Sequence, residues 1–210
     1  MLADQLLATP LALLARVIAL LIAISVHEFA HALVADRLGD PTPREAGRLT
    51  LNPFKHLSLW GTIFLFLFRF GWSQPVPVNA YNFRRPRQGV LLVSLAGPLA
   101  NFVTAAIFGL LMRLMPTGTH LPILLREIVI LNLVLMIFNL IPLPPLDGSS
   151  ILTFIFRRGQ LLQTLERQGF LLLFALIVFD ALAGGRVLGL LIGVPVFTLS
   201  HLLLGPGGTL

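Results

Sequence analysis

The chain contains no cysteine, which excludes a disulfide framework, a thiolate metal site and a cysteine nucleophile. Any metal it holds must rest on His, Asp or Glu. Charge is also scarce: 11% of the 210 residues are Asp, Glu, Lys or Arg, against 56% apolar residues. That balance and a mean hydropathy of +0.90 lie far from soluble-domain averages and describe a membrane protein. No polar stretch is long enough for a separate soluble domain, and no repeat or low-complexity block is present. The formal net charge is +6, but the arginines are scattered at the ends of apolar runs rather than along one basic face. They read as topology determinants and lipid-headgroup contacts, and nucleic acid is not an expected partner. The first apolar stretch lacks a basic start and runs past the length of a signal-peptide core, so it is expected to remain in the mature chain.

A bilayer crossing takes about 20 apolar residues. Runs near 10–35, 89–114, 122–141, 168–183 and 186–204 are the candidates. Leu57 to Phe70 is a marginal sixth that either crosses or re-enters. The expected fold is an all-α polytopic membrane protein, a bundle of about five to six transmembrane helices with a short membrane-associated strand or loop region after the first. It forms one domain over 1–210, with its core at roughly 15–155 and additional C-terminal transmembrane helices over 160–210. Two segments between the early spans, Gly47-Arg-Leu-Thr-Leu-Asn-Pro53 and Gln74-Pro-Val-Pro-Val-Asn79, read as edge strands or as a turn-rich surface loop. As strands they could take up an extended peptide near Leu49 to Leu51. If Leu57 to Phe70 re-enters, eleven of the fifteen Lys and Arg lie on one side. The positive-inside preference makes that side cytoplasmic, together with the end of the first span and the turn after the 122–141 run. A full crossing splits the charges 8 to 7 and decides nothing. The small size fits a bacterial cytoplasmic membrane.

The chemistry concentrates in His27-Glu28-Phe29-Ala30-His31, inside the first span. On a helix the two histidines stand at i and i+4, share a face and can place two imidazole nitrogens on one ion. Glu28 is placed to take a proton from water at that ion rather than to ligate. Three ionisable groups within five residues at membrane depth demand a cavity, a partner or a metal. A third ligand must come from His56, His120, His201, Asp147, Asp180 or another carboxylate. Asp147 stands out because it follows Asn139-Leu-Ile-Pro142-Leu-Pro144-Pro145-Leu and precedes Gly148. Such a break is tolerated in a membrane only where the backbone lines protein or a wet cavity. Two imidazoles and one carboxylate suit a single Zn2+ per chain. Asn139 can donate its amide to a developing oxyanion or make an interhelical polar contact. Asn101, with Gly97 and Pro98, reads first as a site of close helix packing and second as a contributor to the site. His56 reads as a loop histidine, His120 and His201 as interfacial, and Asp180 as an interfacial group. Phe64, Phe66, Phe68 and Phe70 alternate, as an extended inserted segment or lipid-facing residues do.

HEFAH in one span, combined with Asn139-x-x-Pro142 and Leu146-Asp147-Gly148 in a later one, resembles the site-2 protease family of intramembrane zinc metalloproteases. Ala96-Gly97-Pro98-Leu-Ala-Asn101 and Arg48-Leu-Thr-Leu-Asn52-Pro53 with His56 are similar to segments of its compact bacterial members, which carry no PDZ or CBS domain. The likeness covers roughly residues 15 to 155. It implies zinc held by His27, His31 and Asp147, Glu28 activating water, and an active-site role for Asn139. It also implies cleavage within or near a transmembrane segment of a membrane-protein substrate, usually after another protease has trimmed it. The chain departs from the family at Ser149 and Ser150, where Gly-Arg-like residues are common, and at Leu57-Ser58-Leu59, where relatives often carry Asp-Pro. Those departures touch substrate preference and loop geometry rather than the ligands. Competing readings are a membrane metal-ion transporter, a non-catalytic scaffold of the same fold, and a prenyl-protein processing type of protease. The last needs a later glutamate ligand, and neither Glu127 nor Glu166 lies in a matching motif.

Overall fold

The computed structural model describes residues 9–58, 61, 73–114, 121–156 and 160–205. Seven helices are described: α1 Pro10–Arg37, α2 Thr42–Glu45, α3 Pro86–Leu114, α4 Leu121–Leu140, α5 Ser149–Ile155, α6 Gln160–Leu182 and α7 Arg186–Leu204. The helix α1 starts at a Thr9 cap, whose hydroxyl oxygen accepts from Ala12 N at 3.3 Å, and Pro10 occupies the first turn, where no amide hydrogen is needed. Four helices, α1, α3, α4 and α7, are long and apolar enough to cross a membrane.

Lipid tails are as apolar as leucine, so burial alone does not hold such helices together; small residues and polar contacts do. α1 buries Ala12, Ala15, Ala19, Ala23, Ala32 and Ala35, a stripe at helical spacing. α3 answers with buried Gly89, Gly97, Ala105 and Gly109. The two helices and α4 pack against one another, and α7 lies on α3 and α4. The apolar core between them is Ala105, Val129, Leu133, Met136, Val196 and Leu204.

The run at 168–183 is helical within α6, which is less apolar over its length than α1, α3, α4 and α7. Glu166, Arg167 and Asp180 flank an apolar stretch of only Gly169 to Phe179, about 16 Å of helix against a hydrocarbon core of about 30 Å. No strand forms among the described residues; a single antiparallel bridge pairs Leu57 with Ser73. Gly47 to Pro53 is a succession of turns, with Thr50 N on Arg48 O at 2.9 Å and Asn52 Oδ1 capping Phe54 N at 3.1 Å. Pro75 and Pro77 deprive the second segment of ladder donors. Among the described residues the loop reading of both segments is therefore the one that fits. Apart from Leu57, Ser58 and Gly61, the marginal run to Phe70, with its four alternating phenylalanines, lies outside the described residues, as do His120, Arg157 and Arg158.

The loop after α1 is held by buried polar groups. Arg48 NH1 donates to Lys55 O at 2.6 Å and Gln74 O at 3.1 Å. His56, fully buried, pairs its Nε2 with Thr50 O at 2.8 Å. Asp40 is also fully buried, and its carboxylate accepts from Thr42 N, Thr42 Oγ1, Asn79 N and Asn82 Nδ2 at 2.6–3.2 Å. It ties the end of α1 to the segment entering α3. Burial pushes the Asp40 pKa up, but these hydrogen bonds to the charged form outweigh it and hold the group below its ordinary 3.8. A depressed pKa gives stability that is complete above 3.8 and fades as pH falls through the folded value. The difference in thermal midpoint between wild type and Asp40→Ala should thus be constant above about pH 4 and shrink below it, as read from melts of detergent-purified protein.

Candidate metal centre

His27 and His31 project from one face of α1 with ring centroids 4.5 Å apart and planes nearly perpendicular. Asp147 reaches them from the break after α4. There Leu143 N bonds Ile141 O, Leu146 N bonds Leu143 O, and Gly148 N closes the turn on Asn139 O at 2.7 Å. A side chain at Gly148 would run into the carbonyl of Leu140, so only glycine lets the chain double back this tightly. The turn delivers Asp147 Oδ2 to 3.1 Å from His27 Nε2 and 3.3 Å from His31 Nε2, which are themselves 3.0 Å apart. Among the described residues, these three form the one group of potential ligands close enough to share an ion, all within 4.8 Å of one another.

The protons on the rings are set from behind. His31 Nδ1 lies 2.7 Å from Val93 O, which can only accept, so that nitrogen carries the hydrogen and Nε2 presents a lone pair. His27 Nδ1 lies 2.7 Å from Asn101 Oδ1, to the same effect. Asp147 Oδ2 is buried and has no hydrogen-bond partner. Three potential donor atoms thus converge in a buried space, where one cation could take up all three. Two imidazoles backed by hydrogen-bond acceptors and one carboxylate are a donor set for zinc.

Glu28 is buried beside this group, and Ser73 Oγ donates to its Oε1 at 2.5 Å. Gly97 of α3 faces both rings; a methyl there would stand 2.5 Å from His31 Nε2 and 2.6 Å from His27 Cε1. Asn139, expected near the site, spends one amide hydrogen on Leu135 O at 3.0 Å, within its own helix. His56 belongs to the loop described above, and His201 is exposed on α7 beside Phe197. Asp180 accepts from Val187 N and Leu188 N at the start of α7. None of these three joins the cluster. Asn101 follows the second of its two readings: its fully buried amide bonds His27. Ser73 and Asn132, whose side chain bonds Asn101 at 2.8 Å, were not singled out from sequence. An asparagine inside an apolar span is the signal that points to Asn132; Ser73 carries none.

Paired histidines and an aspartate in a bundle of membrane-length helices define a class, the multi-pass membrane metalloproteases, and comparison with known proteins places the chain within it. A model described as Peptidase family M50 matches residues 115–180. A Bacillus subtilis protein named "Putative zinc metalloprotease YwhC" is 40% identical over 195 residues, 88% of this chain and 89% of the relative. A Mycobacterium tuberculosis protein named "Putative zinc metalloprotease Rip2" is 32% identical over 170 residues, 77% of this chain and 64% of the relative. Its Mycolicibacterium smegmatis namesake is 33% identical over 139 residues, covering 63% and 53%. No solved structure matches the chain. The chain belongs to peptidase family M50, the site-2 protease family.

Proposed function

We propose that the chain is an intramembrane endopeptidase that holds one zinc ion through His27, His31 and Asp147 and hydrolyses peptide bonds within or near transmembrane segments of membrane proteins. The observation that carries this reading is the convergence of the two Nε2 atoms and Asp147 Oδ2, 3.0–3.3 Å from one another, beside the buried carboxylate of Glu28. Bound there, zinc would supply Lewis acidity, making water a nucleophile near neutral pH and polarising the peptide carbonyl.

Glu28 takes the proton of the attacking water and passes it to the leaving amine. Ser73 occupies Oε1, so the second carboxylate oxygen is the one that accepts. Asn139 keeps one amide hydrogen beyond the bond to Leu135 O, and that hydrogen is assigned to the developing oxyanion. A substrate helix arrives with its carbonyls hydrogen-bonded, so it must unwind locally before any of these groups can reach it. With Leu57 to Phe70 re-entering, the surplus of Lys and Arg on the side of the loop after α1 argues for a site opening toward the cytoplasm of a bacterial membrane. Residues 1–210 act as one domain on this reading.

The test is cleavage of a panel of single-span substrates, some pre-trimmed outside the membrane, by detergent-purified protein. Cleavage should disappear on chelation and return with stoichiometric zinc. Zinc bound at one per chain with every substrate left intact would sink the protease reading, and zinc flux into proteoliposomes would then favour a transporter.

A further inference from the structure

Asn132 is one of the two groups that fix which end of the Asn101 amide faces His27. The Asn101 side chain is wholly buried. Its nitrogen lies 2.9 Å from Ala23 O and 2.8 Å from Asn132 Oδ1, and its oxygen lies 2.7 Å from His27 Nδ1. An amide nitrogen has two hydrogens, and these two acceptors use both. Asn132, also fully buried, must present oxygen to Asn101, because its own nitrogen is committed to Ile128 O at 2.8 Å. The sense of the Asn101 amide is therefore set at two backbone carbonyls, Ala23 O directly and Ile128 O through Asn132, and read out at an imidazole of α1.

Reversing the Asn101 amide would put an N–H against His27 Nδ1. The ring hydrogen would then move to Nε2, where the ligand lone pair has to be. His31 needs no such device, since its Nδ1 faces the fixed carbonyl of Val93. Only the ligand backed by a rotatable amide requires a second residue to hold that amide.

We propose that Asn132 and Asn101 form a relay of positioning residues that locks His27 in the tautomer able to bind a metal through Nε2. The inference rests on the zinc reading above. Without Asn132, one Asn101 hydrogen loses its acceptor and the orientation hangs on Ala23 O alone. Zinc affinity of the full chain, measured by chelator competition in detergent, should fall about tenfold in Asn132→Leu and up to about 100-fold in Asn101→Leu.

A second pair of variants separates orientation from packing. In Asn101→Asp both terminal atoms are oxygens, so either one can face His27, while a neutral carboxyl puts its hydrogen on Ala23 O. Adding Asn132→Leu to Asn101→Asp should then change zinc affinity less than about twofold, because nothing is left to orient. An equal loss in both backgrounds would mean that Asn132 only packs. Independent of any variant, nitrogen-15 spectra of zinc-loaded wild type should show the metal on His27 Nε2 and the hydrogen on Nδ1, and the reverse assignment overturns the relay. Unchanged affinity in Asn132→Leu overturns the relay and leaves the zinc reading standing; a wild type that binds no zinc overturns both.

Discussion

Glu28→Gln is expected to lower kcat for cleavage by about 10²- to 10⁴-fold while zinc content, KM and thermal stability stay at wild-type values. Glutamine has the shape of glutamate, and its amide oxygen can go on accepting from Ser73 Oγ, so the contact at Oε1 survives. The substitution removes the second carboxylate oxygen as a base and little else. Because the side chain is buried, bulk water has limited means of standing in for it. The split between zinc and turnover is what makes the experiment informative. Zinc lost along with activity would place Glu28 among the groups that hold the ion rather than the one that moves the proton. Retained activity would remove it from the mechanism altogether. Ion transport through the same cluster gives Glu28 no special role, so transport insensitive to the change, with no cleavage by either protein, would argue for that function.

The residues that converge were legible because their placement is local. Two histidines at i and i+4 share a face in any helix, and the prolines before Asp147 announce a break that only a polar cavity can host. The groups behind them were not, because their roles depend on the register of α3 and α4 against α1. Asn101 beside Gly97 and Pro98 fits close packing as well as it fits a bond to His27, and nothing local distinguishes the two. The fold shows the same division. The apolar runs of α1, α3, α4 and α7 define helices of membrane length by themselves. The run in α6 is helical as expected, with Glu166, Arg167 and Asp180 at its margins. The alternation in Gly47 to Pro53 and in Gln74 to Asn79 suggested edge strands or a turn-rich loop, and among the described residues neither segment pairs as a strand; the bridge of Leu57 with Ser73 lies between them.

Gly97→Ala should weaken zinc binding by about 100-fold or more and abolish cleavage with it, although the glycine ligates nothing. The added methyl would lie 2.5 Å from His31 Nε2 and 2.6 Å from both His31 Cε1 and His27 Cε1. Those atoms belong to the metal-facing ends of the two rings. They are not the free ends of flexible chains, since each ring is pinned at its Nδ1, His31 on Val93 O and His27 on Asn101. Relief must come from rotating the rings off those bonds or from parting α3 and α1 along their stripe of small residues, and either movement spreads the three donors. Overpacking of this kind also costs about 1–3 kcal/mol of stability, so a control of equal steric character is needed. Gly109 provides it, one face of α3 further on, where a methyl would meet Leu203 Cβ at 3.0 Å, far from the histidines in sequence and packing. Gly109→Ala should lower the thermal midpoint with zinc affinity intact. If both variants lose zinc alike, close approach of α3 matters for the bundle as a whole; if only Gly97→Ala does, the glycine is part of how the centre is built.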